Sequence, residues 1–427
     1  MSASRLVRNS PDLARLVEDG HSLRIVNSFL VVDDIPFVDD EGRVQLGAFL
    51  CPLDTSGDVT IKPSSHVMCF IGGVPCAKDG KPIPGLVHDG VEKWTAGEGL
   101  SAACGFSQKP GPDGYANFYD KVTYYTLMAV GPAQAVDPDV TPYTFKPVET
   151  DEDDGVFLYM DTFSSRAGIT ELNQRLALNK IVILGLGGTG AHILDLLAKT
   201  PAVEVHLYDG DFFRTHNAYR APGAASLQDL KAGMKKVEYY KQLYSRMRRG
   251  IHAHPMNVTE DNVNEILDAE FVFLAMDTGP DKKAIIEALV ERDVPFIDTG
   301  IGVSKDTNGL VNGSIRITTS APGRTGHIDS DGLISYFVGD DVEYDTNLQV
   351  IELNSIAANL AIMRFKKHLG FYADTSRDLH TVYEIGANEL FNRYGGSSAD
   401  EELRQETEPA SSVASEDGDA TDAENAA

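Results

Sequence analysis

Residues 181 to 190 read Ile-Val-Ile-Leu-Gly-Leu-Gly-Gly-Thr-Gly, an apolar run that breaks into a glycine turn. Gly185, Gly187, Gly188 and Gly190 let the chain turn sharply and let backbone N–H groups approach an anion, while a helix starting there adds partial positive charge. The chemistry this favours is phosphate binding. Asp209 stands about 20 residues further on, where an acid at the end of the next strand is placed to bind ribose hydroxyls. Asp211, His216, Asn217 and Arg220 then share one loop. Taken singly, Asp211 could be a loop cap, His216 and Asn217 turn formers and Arg220 a surface charge. Taken together, an amide and a cation one loop beyond the ribose acid can reach phosphates. A dinucleotide oxidoreductase needs only the glycine turn and Asp209.

Two further residues extend the pattern. Lys236 sits at the start of a helix, where a cation is mildly unfavourable to the dipole unless an anion lies nearby; Lys235 is an equally placed competitor. Asp277 directly follows the apolar run Phe271 to Met276, so its carboxylate should project into the crevice at a strand's carboxyl end. A carboxylate beside a triphosphate points to Mg²⁺, the alternative being a cap for a helix beginning near Pro280.

The elements that must position these residues alternate between strand and helix. The pattern predicts a helix over Thr170 to Asn179 with Thr170 as N-cap, a strand over Ile181 to Leu184, a helix over Ala191 to Lys199 and a strand over Val203 to Tyr208. It continues with a helix over Lys235 to Arg248 and strands over Ile251 to Met256 and Phe271 to Met276. A helix over Lys282 to Arg292, a strand over Val294 to Asp298, a strand pair over Gly309 to Thr318 and a long helix over Asn347 to Leu369 complete it. That last helix reads as core or dimer seam. Such alternation implies an α/β fold, a Rossmann-like, doubly wound and mostly parallel sheet. Residues 1 to 150 instead carry short β-type runs, Ser22 to Val32, His66 to Ile71 and Val122 to Met128, between Pro- and Gly-bearing loops. They predict a smaller β-rich or α+β accessory domain, with Pro132 to Asp154 as a linker. The expected division is 1–150, 151–394 and an acidic disordered tail over 395–427.

The formal net charge of −27 argues against a nucleic-acid partner, which would call for clustered Lys and Arg. No apolar run is of membrane-spanning length, and Arg5 and Arg8 are not followed by an apolar segment, so a soluble cytoplasmic protein is expected. The four cysteines, Cys51, Cys69, Cys76 and Cys104, form no CxxC pair, which argues against a structural zinc site of clustered thiolates. His21, His66 and His88 are too scattered for another.

With GLGGTG at 185–190, DGD at 209–211, HNAYR at 216–220, GMKKV at 233–237 and AMDTG at 275–279 in that order, the chain from about 162 to 390 resembles the ThiF family of adenylating enzymes, which are similar to the catalytic core of ubiquitin-activating enzymes. The resemblance implies ATP at the glycine loop, Asp209 on ribose, Asn217, Arg220 and Lys236 on phosphates, and Asp277 on Mg²⁺. It further implies a homodimer, with Arg166, or secondly Arg175, entering the partner subunit's site. The implied reaction is attack by the C-terminal carboxylate of a small ubiquitin-like or sulfur-carrier protein on the α-phosphate, followed by transfer to a thiol. The N-terminal region resembles an uncharacterised domain fused to some bacterial ThiF-like proteins.

Two departures qualify the resemblance. Many relatives carry a cysteine after the fourth strand, but Gly300 to Thr318 has none, and no cysteine follows Cys104. Either Cys104 accepts the acyl group or it passes directly to a conjugating-enzyme-like or sulfurtransferase partner. The paired CxxC motifs of the family's zinc knuckle are also missing. The rival readings are an NAD-dependent oxidoreductase, which leaves Asn217, Arg220, Lys236 and Asp277 unexplained, a catalytically silent partner-binding scaffold, and ATP-dependent cyclisation of a small carboxylate.

Overall fold

Two large sheets, one of five strands and one of eight, each pack against a hydrophobic core of their own. The structure is a computed structural model that describes residues 3–97, 99–150, 155–330, 333–336 and 349–393. The expected acidic tail, and residues 347 and 348 at the expected start of the last helix, lie outside them.

The N-terminal unit opens with helices α1 (Ala3–Asn9) and α2 (Pro11–Glu18). Strands β1 (Ser22–Val26), β2 (Phe29–Val38) and β3 (Val44–Pro52) follow, then the two-residue strands β4 (Thr55–Ser56) and β5 (Val59–Thr60), β6 (Met68–Ile71), β7 (Cys104–Phe106) and helix α3 (Phe118–Val136). β1, β2, β3, β6 and β7 pair in that order, antiparallel throughout. The unit is therefore α+β. The run Ser22 to Val32 is two strands rather than one, because Asn27 and Ser28 both take positive φ, 49° and 65°, as a tight hairpin requires.

The run Val122 to Met128 lies within α3 and is not a strand. Asn117 caps it, accepting from the Asp120 N–H at 2.8 Å, and Phe118, Val122, Tyr125, Ala129 and Ala133 recur at helical spacing on the buried face. Burial on one helical face outweighs the β preference of Val, Thr and Tyr. The helix also carries Pro132, so the expected linker begins after Val136.

The second unit contains α4 (Thr162–Arg166), α5 (Thr170–Gln174), β8 (Lys180–Leu184), α6 (Gly188–Leu197), β9 (Glu204–Tyr208), α7 (Thr215–Ala218), α8 (Leu227–Ala232), α9 (Lys236–Tyr244) and β10 (Ile251–His254). It ends with β11 (Phe271–Leu274), α10 (Pro280–Glu291), β12 (Phe296–Lys305), β13 (Val311–Ser320), α11 (Gly326–Ser330), α12 (Ile351–His368), β14 (His380–Glu384) and β15 (Glu389–Arg393). Its eight strands run in the order β10-β9-β8-β11-β12-β13-β14-β15. The first five are mutually parallel and the remainder antiparallel, which gives the expected doubly wound, mostly parallel sheet. Central strands covered on both faces read as continuous apolar runs, hence the legibility of IVIL and FVFL. The expected pair over Gly309 to Thr318 is one strand, β13, folded back on β12 through a turn in which Asp306 accepts from the N–H groups of Asn308 and Leu310. α5 stops at Gln174, and Ile169 rather than Thr170 is its N-cap. α12 buries Leu353, Ala357, Ala361 and Phe365 in the main core.

Arg248, only 1% exposed, links the start of β9 to the loop after α9 by donating to the carbonyls of Thr200, Ala202 and Val203. Arg249 donates to the carbonyls of Thr150 and Phe157, tying the connecting segment to the second unit. Among the described residues, no helix is long and apolar enough to cross a membrane.

Candidate active site

The sheet order changes direction at β8, with β9 on one side and β11 on the other, so a crevice opens beyond the carboxyl ends of β8 and β11. Its floor is closed by backbone: the Gly185 N–H donates to Tyr208 O at 2.9 Å and the Ala275 N–H to Leu184 O at 2.8 Å. Gly185 takes φ +88°, and a Cβ there would lie 2.5 Å from Ala275 O. A Cβ on Gly190 would lie 1.8 Å from Gly185 O, so the turn cannot close on any larger residue. Gly187 is the N-cap of α6 and Gly188 its first residue, which leaves first-turn N–H groups for a ligand. Buried Asn354 on α12 braces the loop from behind, accepting from Thr189 Oγ1 at 3.0 Å.

Asp209 caps β9 and is 5% exposed. One carboxylate oxygen accepts from the Leu186 N–H at 2.7 Å, and the other from the Asp211 N–H at 2.9 Å, so the acid expected at a ribose also fastens the glycine turn. Lys236 Nζ lies 3.1 Å from Asp209 and 2.7 Å from Asp211. The two lysines take different positions. Lys236 is buried in the crevice, whereas Lys235 donates to Gly210 O at 2.5 Å and sits 4.0 Å over the Phe212 ring. The cation at the first residue of α9 is compensated by two carboxylates, and that of Asp211, beside Lys236, is held below the usual carboxylate range chiefly by this hydrogen bond.

Asn217, 3% exposed, accepts from the Arg214 N–H through Oδ1 at 2.9 Å, and its Nδ2 has no partner among the described residues. Arg220 Nε is likewise buried and unpartnered among the described residues. Buried donors left unpaired carry a desolvation penalty. His216 reports the field here: burial lowers its pKa first, and the neighbouring cations Arg220, Lys236 and Arg214 lower it further.

Asp277 lies three residues beyond the end of β11, exposed, with no hydrogen bond or ion pair to a described residue. It does not cap α10, whose N-cap is Gly279. The structure brings the turn Gly185 to Gly190 together with Asp209, Asp211 and Lys236 at the carboxyl ends of β8 and β9, while Asn217 and Arg220 lie in and after α7 and Asp277 in the loop after β11. Arg166 and Cys104 are not part of that group. Arg166 ends α4, exposed and without a partner among the described residues, while Arg175 donates to Gly370 O at 2.6 Å. Cys104 is buried in the N-terminal sheet, where desolvation pushes its thiol up to about 12. Sequence reasoning missed Asn354, and Asn257, which accepts from the Gly210 N–H at 2.8 Å. For Asn354 the available signal was an amide inside an apolar helical stripe.

Residues 160–326 match the ThiF family, and residues 11–162 match a domain of unknown function, DUF6791. No curated protein matches the chain. Among solved structures it is similar to selenomethionine PaaA, at 19% identity and TM-score 0.40 over 52% of this chain and 66% of that one. It is also similar to E. coli MccB with succinimide, at 20% identity and TM-score 0.42 over 53% of this chain and 66% of that one. Microcin C7 biosynthetic enzyme MccB in complex with N-formylated MccA is 18% identical, TM-score 0.42, over 53% of this chain and 67% of that one. The chain spans about two thirds of the length of these structures.

Proposed function

We propose that this chain, which carries a ThiF family domain at residues 160–326, binds ATP in the crevice beyond β8 and β11 and adenylates the C-terminal carboxylate of a small ubiquitin-like or sulfur-carrier protein. The observation that carries this reading is the glycine turn at the start of α6, fastened to Asp209 beside the buried Lys236, with Asn217 Nδ2 and Arg220 Nε unpartnered among the described residues. A helix N-terminus opening on a glycine turn, with a buried ammonium beside it, favours a polyanion.

In this reading the first-turn N–H groups of α6 and the side chains of Asn217, Arg220 and Lys236 hold the triphosphate, and Asp209 holds the ribose. Exposed Asp211 releases Lys236 as phosphate replaces it. The incoming carboxylate oxygen bonds to the α-phosphorus as the bond to the β-phosphate bridging oxygen breaks, giving an acyl-adenylate and pyrophosphate. The nucleophile is already ionised, so no general base is needed; the cations stabilise charge growing on the α-phosphate and the leaving group. Asp277 fits Mg²⁺, being a free carboxylate at the mouth of the crevice, and the ion would supply charge neutralisation of the leaving pyrophosphate.

All four cysteines are buried in the N-terminal unit, which supports transfer of the activated acyl group to a thiol on a conjugating-enzyme-like or sulfurtransferase partner. Arg166, exposed and unpaired among the described residues, supports a homodimer in which it reaches the other copy's nucleotide. Residues 1–150 serve as an accessory unit and 151–394 as the adenylating one.

Calorimetry of the full chain with MgATP, and separately with NAD⁺, tests the site: ATP should bind and the dinucleotide should not. The reverse result would overturn the proposal. With a carrier protein supplied, ATP–pyrophosphate exchange should vanish in Asp277→Ala and fall sharply in Arg220→Ala. Exchange indifferent to both substitutions refutes the assignment of roles.

A further inference from the structure

At the far edge of the large sheet, Glu204, His206 and Tyr208 alternate along β9, and His252 and His254 along β10. Alternation places all five on one face of the sheet. The parallel register sets His252 opposite His206 and His254 opposite Tyr208. The other face carries Val205, Leu207 and Ile251 into the main core. The imidazoles form a stack, with ring centroids 4.6 Å apart for His206 and His252 and 5.2 Å for His206 and His254; Tyr208 continues it 4.2 Å from His254. His206 Nε2 lies 3.1 Å from one carboxylate oxygen of Glu204, and His252 Nε2 lies 3.8 Å from the other. One donor atom from each of Glu204, His206 and His252 lies within 4.8 Å of the other two.

We propose that Glu204, His206 and His252 form a binding site for a divalent transition metal ion of the zinc class, with His254 orienting His206. A tetrahedral ion with bonds of about 2.0–2.1 Å needs donor atoms roughly 3.4 Å apart, and each imidazole Nε2 lies near that distance from a different Glu204 oxygen, 3.1 Å for His206 and 3.8 Å for His252. Two imidazoles and one carboxylate select zinc, nickel, cobalt or copper over magnesium or calcium, and leave a coordination position open. His206 Nδ1 lies 3.0 Å from His254 Nε2, so in the tautomer that donates this hydrogen bond Nε2 is free to ligate. Lys180, on the same face, does not compete for Glu204: its ammonium lies 2.5 Å from Asp268 and donates to Glu265 O at 3.1 Å.

The test uses the full chain, stripped with a chelator and titrated with Zn²⁺ by calorimetry and with Co²⁺ by visible absorption. One ion per chain should bind, and Co²⁺ should give the intense ligand-field bands of a tetrahedral site. Substitution of His254→Gln should weaken binding roughly 10- to 100-fold, the range for an orienting partner, and His252→Asn or Glu204→Gln by more. His252 has a side chain 42% exposed, so its replacement leaves the fold intact, which thermal unfolding verifies. Asp277→Ala should leave the titration unchanged. Failure to bind one ion per chain, binding indifferent to His252→Asn and Glu204→Gln, or binding abolished by Asp277→Ala would each overturn the proposal.

Discussion

Replacing Lys236 by Met separates what this residue does for the fold from what it does for a ligand. The substitution keeps the apolar stem but removes the ammonium that lies 3.1 Å from Asp209, itself 5% exposed. Breaking a buried ion pair from one side costs about 3–5 kcal/mol. Asp209 keeps its hydrogen bonds from the Leu186 and Asp211 N–H groups, so the lower end, about 3 kcal/mol, applies. For a unit of this size that corresponds to a fall of roughly 6–12 °C in melting temperature. Adding Asp209→Asn removes the stranded charge while preserving an acceptor for Leu186. The double variant should therefore recover most of the lost stability, with a coupling of about 2 kcal/mol or more, yet should not bind MgATP. Thermal unfolding and calorimetry on the four proteins of the cycle supply both readouts. Stability effects that simply add, or a double variant that binds MgATP as the parent does, would refute the reasoning.

In Gly190→Ala the new Cβ would lie 1.8 Å from Gly185 O, so the turn must open; MgATP affinity should drop by about 100-fold while the far-UV spectrum is retained. Parent-like affinity would show that the loop does not hold the phosphates. Acid should destabilise the chain through two buried imidazoles, His21 and His380, whose pKa values burial lowers from 6.5 to about 4. The unfolded chain takes up these protons first, so stability is full above pH 6.5 and declines toward about pH 4, by up to about 3 kcal/mol for each ring. Denaturant unfolding from pH 7 to 4.5 should show that decline, and His21→Phe should flatten part of it; an unchanged slope would contradict the assignment.

The doubly wound sheet was legible because its central strands are apolar on both faces and punctuated by glycine. The meeting of the glycine turn with Asp209 was legible too, since both follow strand ends in sequence order. α3 was not, because Val122, Thr123, Tyr124 and Tyr125 favour strands locally and only the packed face reveals the helical period. The choice between Lys235 and Lys236 depended on which way the first turn of α9 faces, which spacing alone leaves open. Asn354 and Thr189 meet across 165 residues, and His206 and His254 across 48. Such contacts depend on strand order, and local sequence does not encode it.

The seclusion of every sulfhydryl also has a practical side. Cys51, Cys69, Cys76 and Cys104 all lie inside the N-terminal core with ionisation suppressed by burial, so alkylating reagents should leave the native protein unmodified. A single cysteine engineered onto the surface would then be the sole reactive handle, ready to carry a fluorophore or cross-linker without first deleting the native ones.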